Sequence, residues 1–151
     1  MFRGVANLNL DDKGRIAMPA RYREQLTAEC DGQLIVTVDR DRCLLIYPLN
    51  VWEEIEETLA ELPTLNASAR MLQRLLIGHA TDAGFDAQGR ILIPPPLREF
   101  AALGKKVVLI GQGRRFELWD EEAWSASRDG WLQEVSDEKL ELPDALSRLS
   151  F

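Results

Sequence analysis

Little in this sequence could hold a metal or run histidine-based catalysis: its 151 residues include one histidine, His79, and two cysteines, Cys30 and Cys43. The cysteines stand at no metal-ligand spacing, and no nucleophile or paired carboxylate accompanies His79 in any motif. His79 therefore reads as a loop or helix-end residue, and the thiols as packing or surface groups. No metal, cofactor or small-molecule substrate is expected. Long apolar runs are also missing. Cys43 to Tyr47 and Val107 to Ile110 stop at Pro48 and Gly111, far short of the ~20 residues a spanning helix needs. The opening Met1-Phe2-Arg3-Gly4 lacks the basic segment, apolar stretch and cleavage site of an export signal, so a cytoplasmic location without a membrane partner is expected. Carboxylates are plentiful, but no nucleophile, base and oxyanion donor stand in a recognisable arrangement, and the chain is not read as an enzyme.

Disorder is not the default either, because 46% hydrophobic and 28% charged residues is the balance of a globular domain. The net charge of -7 argues at first against a nucleic-acid partner. Its distribution reverses that inference. Between Asp120 and Asp144 the acids outnumber Arg128 and Lys139 by seven, which leaves the rest of the chain neutral. In the first stretch Arg3, Lys13, Arg15, Arg21 and Arg23 face only Asp11, Asp12 and Glu24. Exposed charges are screened over about 10 Å at moderate salt, so a local basic face acts independently of a remote acidic tail.

The chain repeats itself. Leu10-Asp11-Asp12-Lys13-Gly14-Arg15-Ile16-Ala17-Met18-Pro19 aligns with Phe85-Asp86-Ala87-Gln88-Gly89-Arg90-Ile91-Leu92-Ile93-Pro94 at an offset of 75, and Arg23-Glu24 falls on Arg98-Glu99. Further on, Tyr47 and Trp52 match Trp119 and Trp124 at an offset of 72, because the loop around Ala28 to Gln33 is longer than its counterpart. Two copies are too few for a solenoid, so the economical arrangement is two halves about a pseudo-two-fold axis.

Each half predicts the same elements. Asp11-Asp12-Lys13-Gly14 is a turn in which glycine supplies the positive φ, and a local hairpin is expected around it. Arg15 to Met18 and Arg90 to Ile93 are short apolar strands, and Pro19 and Pro94 then open helices through Tyr22 and Leu26 and through Leu97, Phe100 and Leu103. Leu34 to Val38 should pair with Cys43 to Tyr47 across Asp39 to Arg42. In the second half, Val107 to Ile110 should turn at Gly111-Gln112-Gly113 into Phe116 to Trp119. Between the halves Trp52, Ile55, Leu59 and Leu62 recur at helical spacing, with Glu53, Glu54, Glu56 and Glu57 on the solvated face and Pro63 as a stop. A second helix, capped by Asn66 or Ser68, should carry Met71, Leu72, Leu75 and Leu76 as far as Gly78.

An arginine that follows a tight turn is projected from a rigid edge, where its guanidinium can bond a guanine edge or a phosphate in bidentate fashion. Arg15 and Arg90 are therefore the leading site residues, with Lys13, Arg3, Arg21 and Arg23 adding charge to the first half.

Taken together, Met1-Phe2-Arg3-Gly4, Asp12-Lys13-Gly14-Arg15, Pro19-Ala20-Arg21-Tyr22-Arg23, Ile46-Tyr47-Pro48, Asp86-Ala87-Gln88-Gly89-Arg90 and Leu118-Trp119-Asp120 make the chain resemble the MraZ family, as far as about Trp124. The resemblance implies an α+β fold of two β-rich, swapped-hairpin halves of SpoVT/AbrB type. These are residues 5–52 and 81–124, joined by a helical connection at 53–80 and followed by an acidic tail at 125–151. It also implies ring-shaped homo-oligomers associated with the nucleoid, and control of transcription by binding double-stranded DNA at tandem repeats upstream of the bacterial division and cell-wall gene cluster. The family's DNA-contacting arginine falls on Arg15 and again on Arg90. Gln88 stands where the first half has Lys13, so a weaker phosphate grip is expected there. The alternative is a ring-forming assembly protein without sequence-specific DNA binding, since exposed strand edges and apolar helices would serve a ring equally well.

Overall fold

In the computed structural model, which describes residues 1–146, the elements follow as β1 (Phe2–Asn9), β2 (Arg15–Ala17), α1 (Ala20–Cys30), β3 (Gln33–Val38), β4 (Leu44–Pro48), α2 (Leu49–Ala60), α3 (Ala67–Leu72), β5 (Thr81–Gly84), β6 (Arg90–Leu92), α4 (Pro95–Phe100), β7 (Lys106–Gly113), β8 (Phe116–Asp120) and α5 (Glu121–Ser136). Residues 147–151 of the expected acidic tail lie outside the described residues. The fold is α+β, with strands paired antiparallel throughout. Met1–Glu121 forms one unit and a second begins at Glu122. The second is built on α5, where the rings of Trp124 and Trp131 meet edge to face at 5.8 Å.

Proline sets three helix starts. Pro19, Pro48 and Pro94 each occupy the position before α1, α2 and α4, with φ between −53° and −63° and ψ extended, so the ring delivers the chain from strand geometry into the first turn. The hairpin β3–β4 forms as its β-branched run implies, closed by Asp39 and Arg42. Helix α2 ends at Ala60, before the expected Leu62, and α4 ends at Phe100, before Leu103. Asn66 is the cap of α3, its side chain accepting the Ala69 N–H at 3.0 Å. The expected helix to Gly78 is not regular, because Gln73–Ile77 widens into a π turn. There Thr37, fully buried on β3, donates to the Leu76 carbonyl at 2.7 Å.

The local hairpin does not form. The turn closes as expected, the Gly14 N–H donating to the Asp11 carbonyl at 3.0 Å, but its flanking strands take different partners. β1 pairs with β7 from Phe2↔Gly113 to Asn9↔Lys106, and β2 pairs with β6. β5 likewise leaves β6 and pairs with β3. A hairpin would have given β1 only the three residues of β2, whereas β7 satisfies all eight of its positions and seals Phe2 into the core. The same pairing moves the later turn. β7 runs on through Gly113, because Gly111, Gln112 and Gly113 face Gly4, Arg3 and Phe2, and the chain reverses at Arg114 and Arg115 instead.

The result is one six-stranded sheet in the order β1-β7-β8-β4-β3-β5, and a separate ribbon, β2-β6. Along β3 and β4 alternate side chains enter two clusters. Leu34, Val36, Leu44 and Ile46 join Ile16, Leu26, Ile91, Leu109 and Phe116 in a core drawn from both halves, while Ile35, Leu45 and Tyr47 meet Trp52 and Leu59 of α2. Burial on both faces explains why these strands read as continuous apolar runs instead of alternating ones.

Candidate nucleic-acid interface

The repeated Asp-x-x-Gly-Arg segment folds into the same device twice. In the first copy Asp11 Oδ1 accepts the N–H groups of Lys13 at 2.9 Å and Arg15 at 2.8 Å, and Oδ2 accepts Arg15 Nε at 2.7 Å. In the second, Asp86 Oδ1 accepts those of Gln88 and Arg90, both at 2.9 Å, and Oδ2 accepts Arg90 Nε at 2.9 Å. Gly14 and Gly89 complete the turns at φ +83° and +74°, a region costly for a residue with a Cβ. The Arg15 N–H holds the Asp11 carboxyl below the usual carboxylate range, as the Arg90 N–H does for Asp86. Each aspartate thus holds its arginine through Nε.

The two arginines share one surface. In the ribbon Ile16 pairs with Ile91 and both point into the core, so the neighbouring positions Arg15, Ala17, Arg90 and Leu92 occupy the opposite face. The pairing is Arg15↔Leu92 and Ala17↔Arg90, which sets the guanidinium groups at diagonal corners. The halves are also tied through this face, Arg90 Nη1 lying 3.8 Å from Asp11 Oδ2. The copies differ in one respect. Gln88 Oε1 accepts a bond from Arg90 Nη2 at 3.2 Å, whereas Lys13, its counterpart, is exposed and makes no such claim on Arg15.

The remaining sequence-predicted residues fall into two other places. Arg3 and Arg21 gather around Tyr22, whose hydroxyl donates to the Arg3 carbonyl and accepts from Arg21 Nη2 at 3.0 Å, with the Arg21 guanidinium 4.5 Å above the Tyr22 ring. Arg23 is half-buried, donates to the Met18 carbonyl at 3.3 Å, and lies against Gly89 of the second turn. Sequence reasoning passed over Arg98, which lies against Gly14 in the same way. The signal was available in the offset of 75 that places Arg98 on Arg23. Each aspartate, a turn former by its sequence position, also orients an arginine.

No helix among the described residues is long and apolar enough to cross a membrane. Comparison with known proteins finds that the family model described as "MraZ protein, putative antitoxin-like" matches residues 1–75 and again 76–142. The transcriptional regulator MraZ of Thioalkalivibrio sulfidiphilus is 59% identical over 150 residues, with 99% of both chains covered. The proteins of the same name from Halorhodospira halophila and Coxiella burnetii are 56% and 52% identical over 151 residues, again with 99% of each chain covered.

Proposed function

Since the chain belongs to the MraZ family, with a match in each half, we propose that it is a transcriptional regulator that binds double-stranded DNA through the outer face of the β2–β6 ribbon. The observation that carries this reading is the pair of aspartate-braced arginines on one two-stranded ribbon. A major groove about 12 Å wide admits such a ribbon, and a guanidinium braced at Nε still offers its outer donors to the O6 and N7 of guanine. Arg15 reads the base, Lys13 beside it takes a phosphate, and Arg3, Arg21 and Arg23 add positive charge. Arg90, already engaged by Gln88, contributes less.

Reciprocal exchange of β1 and β5 between the halves supports swapped-hairpin halves about a pseudo-two-fold axis, with residues 5–52 and 81–124 as the repeating units. Assembly into a ring is supported by apolar surface on α3 and the π turn, where Met71, Leu72 and Leu75 are 58%, 46% and 40% exposed. A ring presents the ribbon many times, which suits tandem DNA repeats upstream of the division and cell-wall gene cluster and a place in the cytoplasm on the nucleoid. The residues beyond Ser125 carry more acids than bases.

Arg15→Ala tests the reading. Specific affinity for the upstream repeats should fall by about 1–3 kcal/mol per contact, with base preference relaxed at one position, while Arg90→Ala loses less. Fluorescence anisotropy measures both, with circular dichroism and light scattering as controls of fold and assembly. An assembled Arg15→Ala protein with unchanged affinity would refute the role of Arg15. A wild-type ring that binds no sequence above random DNA would favour the pure assembly protein.

A further inference from the structure

The second half reaches beneath the turn of the first. A Cβ placed on Gly14 would lie 2.7 Å from Cζ and Nε of Arg98 and 2.9 Å from its Nη1, so the flat guanidinium from α4 rests directly against the Gly14 backbone. Gly89 stands in the same relation to Arg23 of α1, at 2.4 Å from Nη1 and 3.0 Å from Cζ. The contacts are reciprocal, each running from a helix of one half to the turn of the other.

Arg98 differs from Arg23 in what it does with its donors. Arg23 bonds the Met18 carbonyl. The Arg98 side chain has no hydrogen bond or ion pair among the described residues, and its Nε is buried without an acceptor. An unpaired buried N–H costs stability, so Arg98 is not held there by bonds of its own. What it supplies is a rigid plane in the space that the absent side chain of Gly14 leaves open, one residue before Arg15.

We infer that Arg98 is a positioning residue for Arg15: its guanidinium, contributed by the second half, backs the Asp11–Arg15 turn of the first and fixes the direction in which Arg15 leaves the ribbon. The inference rests on the proposed DNA-reading role of Arg15, and it makes recognition by one half conditional on the other. Shape matters here more than charge. Lysine, a flexible point charge, cannot replace a planar group in this place.

Arg98→Met keeps the aliphatic stem and removes the plane, and Arg98→Lys keeps the charge as well. Two measurements on the full-length assembled protein decide the matter. In hydrogen exchange without DNA, both variants should exchange several-fold faster at the Asp11–Arg15 amides and at the wild-type rate at the Asp86–Arg90 amides. In titrations with operator DNA, both should lose about five- to ten-fold in specific affinity, the lower part of what a misdirected bidentate contact forfeits, with base preference relaxed at the Arg15 position and the salt slope unchanged. Adding Arg15→Ala should then cost little more, because both changes disable one contact. Restoration of affinity by lysine, with a salt slope lowered by about 0.9 per site in the methionine variant, would overturn the inference and make Arg98 a phosphate contact. Unchanged exchange at the first turn would overturn it too. Wild-type protein without DNA affinity would remove the proposed function, while the exchange data would still decide whether Arg98 sets the turn.

Discussion

The ribbon that presents Arg15 and Arg90 has only three residues per strand, so its anchorage depends on what lies beneath it. Ile16 and Ile91 are 0% exposed and face each other across the pair. Replacing Ile16 with alanine removes three buried carbons, which at ~0.8 kcal/mol each is about 2.4 kcal/mol of lost transfer energy. A residual void of about 50 Å³ adds about 1 kcal/mol. The expected destabilisation is therefore about 3.5 kcal/mol, or about 10 °C in Tm for a chain of this size. Leu92, next to Ile91 but on the outer face and 51% exposed, is the internal control, and Leu92→Ala should stay within about 0.5 kcal/mol. Urea unfolding followed by tryptophan fluorescence, at one fixed protein concentration because assembly adds to stability, gives both values. The double change Ile16→Ala with Ile91→Ala should depart from additivity by ~0.5 kcal/mol or more, since the two side chains share one site. A loss below about 1 kcal/mol for Ile16→Ala, or an equal loss for Leu92→Ala, would refute the assignment of inner and outer faces.

Other outcomes follow from single contacts. Thr37→Val preserves shape but strips the Leu76 carbonyl of its buried donor, and should cost about 1–3 kcal/mol in the same unfolding assay; an unchanged midpoint would count against that bond. Asp11 and Asp86 carry native values lowered from 3.8, so their stabilisation is whole above that value and is lost as pH falls through the lowered native values. Amide resonances of Lys13 and Arg15 should accordingly ignore the carboxylates between pH 8 and 5 and move only in acid; a carboxylate transition above pH 5 would contradict this. Burial pushes the Cys43 thiol up, and iodoacetamide should label the half-buried Cys30 in native protein while sparing Cys43. Equal labelling rates would show that the core around Cys43 opens.

What was legible in the sequence was local. The Asp-x-x-Gly-Arg turn is written within five residues, because its carboxylate bonds amides two and four positions on. Pro19 and Pro94 mark helix starts through their own fixed φ, as Pro48, read only as the end of an apolar run, also does. The local pairings of β3 with β4 and β7 with β8 were legible, but distant strand partners were not, since the choice of β7 over β2 for β1 depends on which distant edge is open and how much backbone it satisfies. The π turn is bonded by Thr37, which lies on another element. Helix α5 was hidden by its composition, with acids spread along it, Gly130 within it and no buried residue to mark an apolar stripe. In the candidate site the outward arginines could be named from their motif. Their shared face and the support beneath Gly14 arise only when the halves meet.

The pairing of β1 with β7 also carries a consequence for synthesis. β1 leaves the ribosome about 100 residues ahead of its partner. At ~5–20 residues per second that is about 5–20 s in which an eight-residue strand has no edge to join. β2 waits in the same way for β6. A message interrupted between the copies would therefore leave no usable half, and a nascent chain must be kept from pairing with its neighbours on the same message until the last strands emerge.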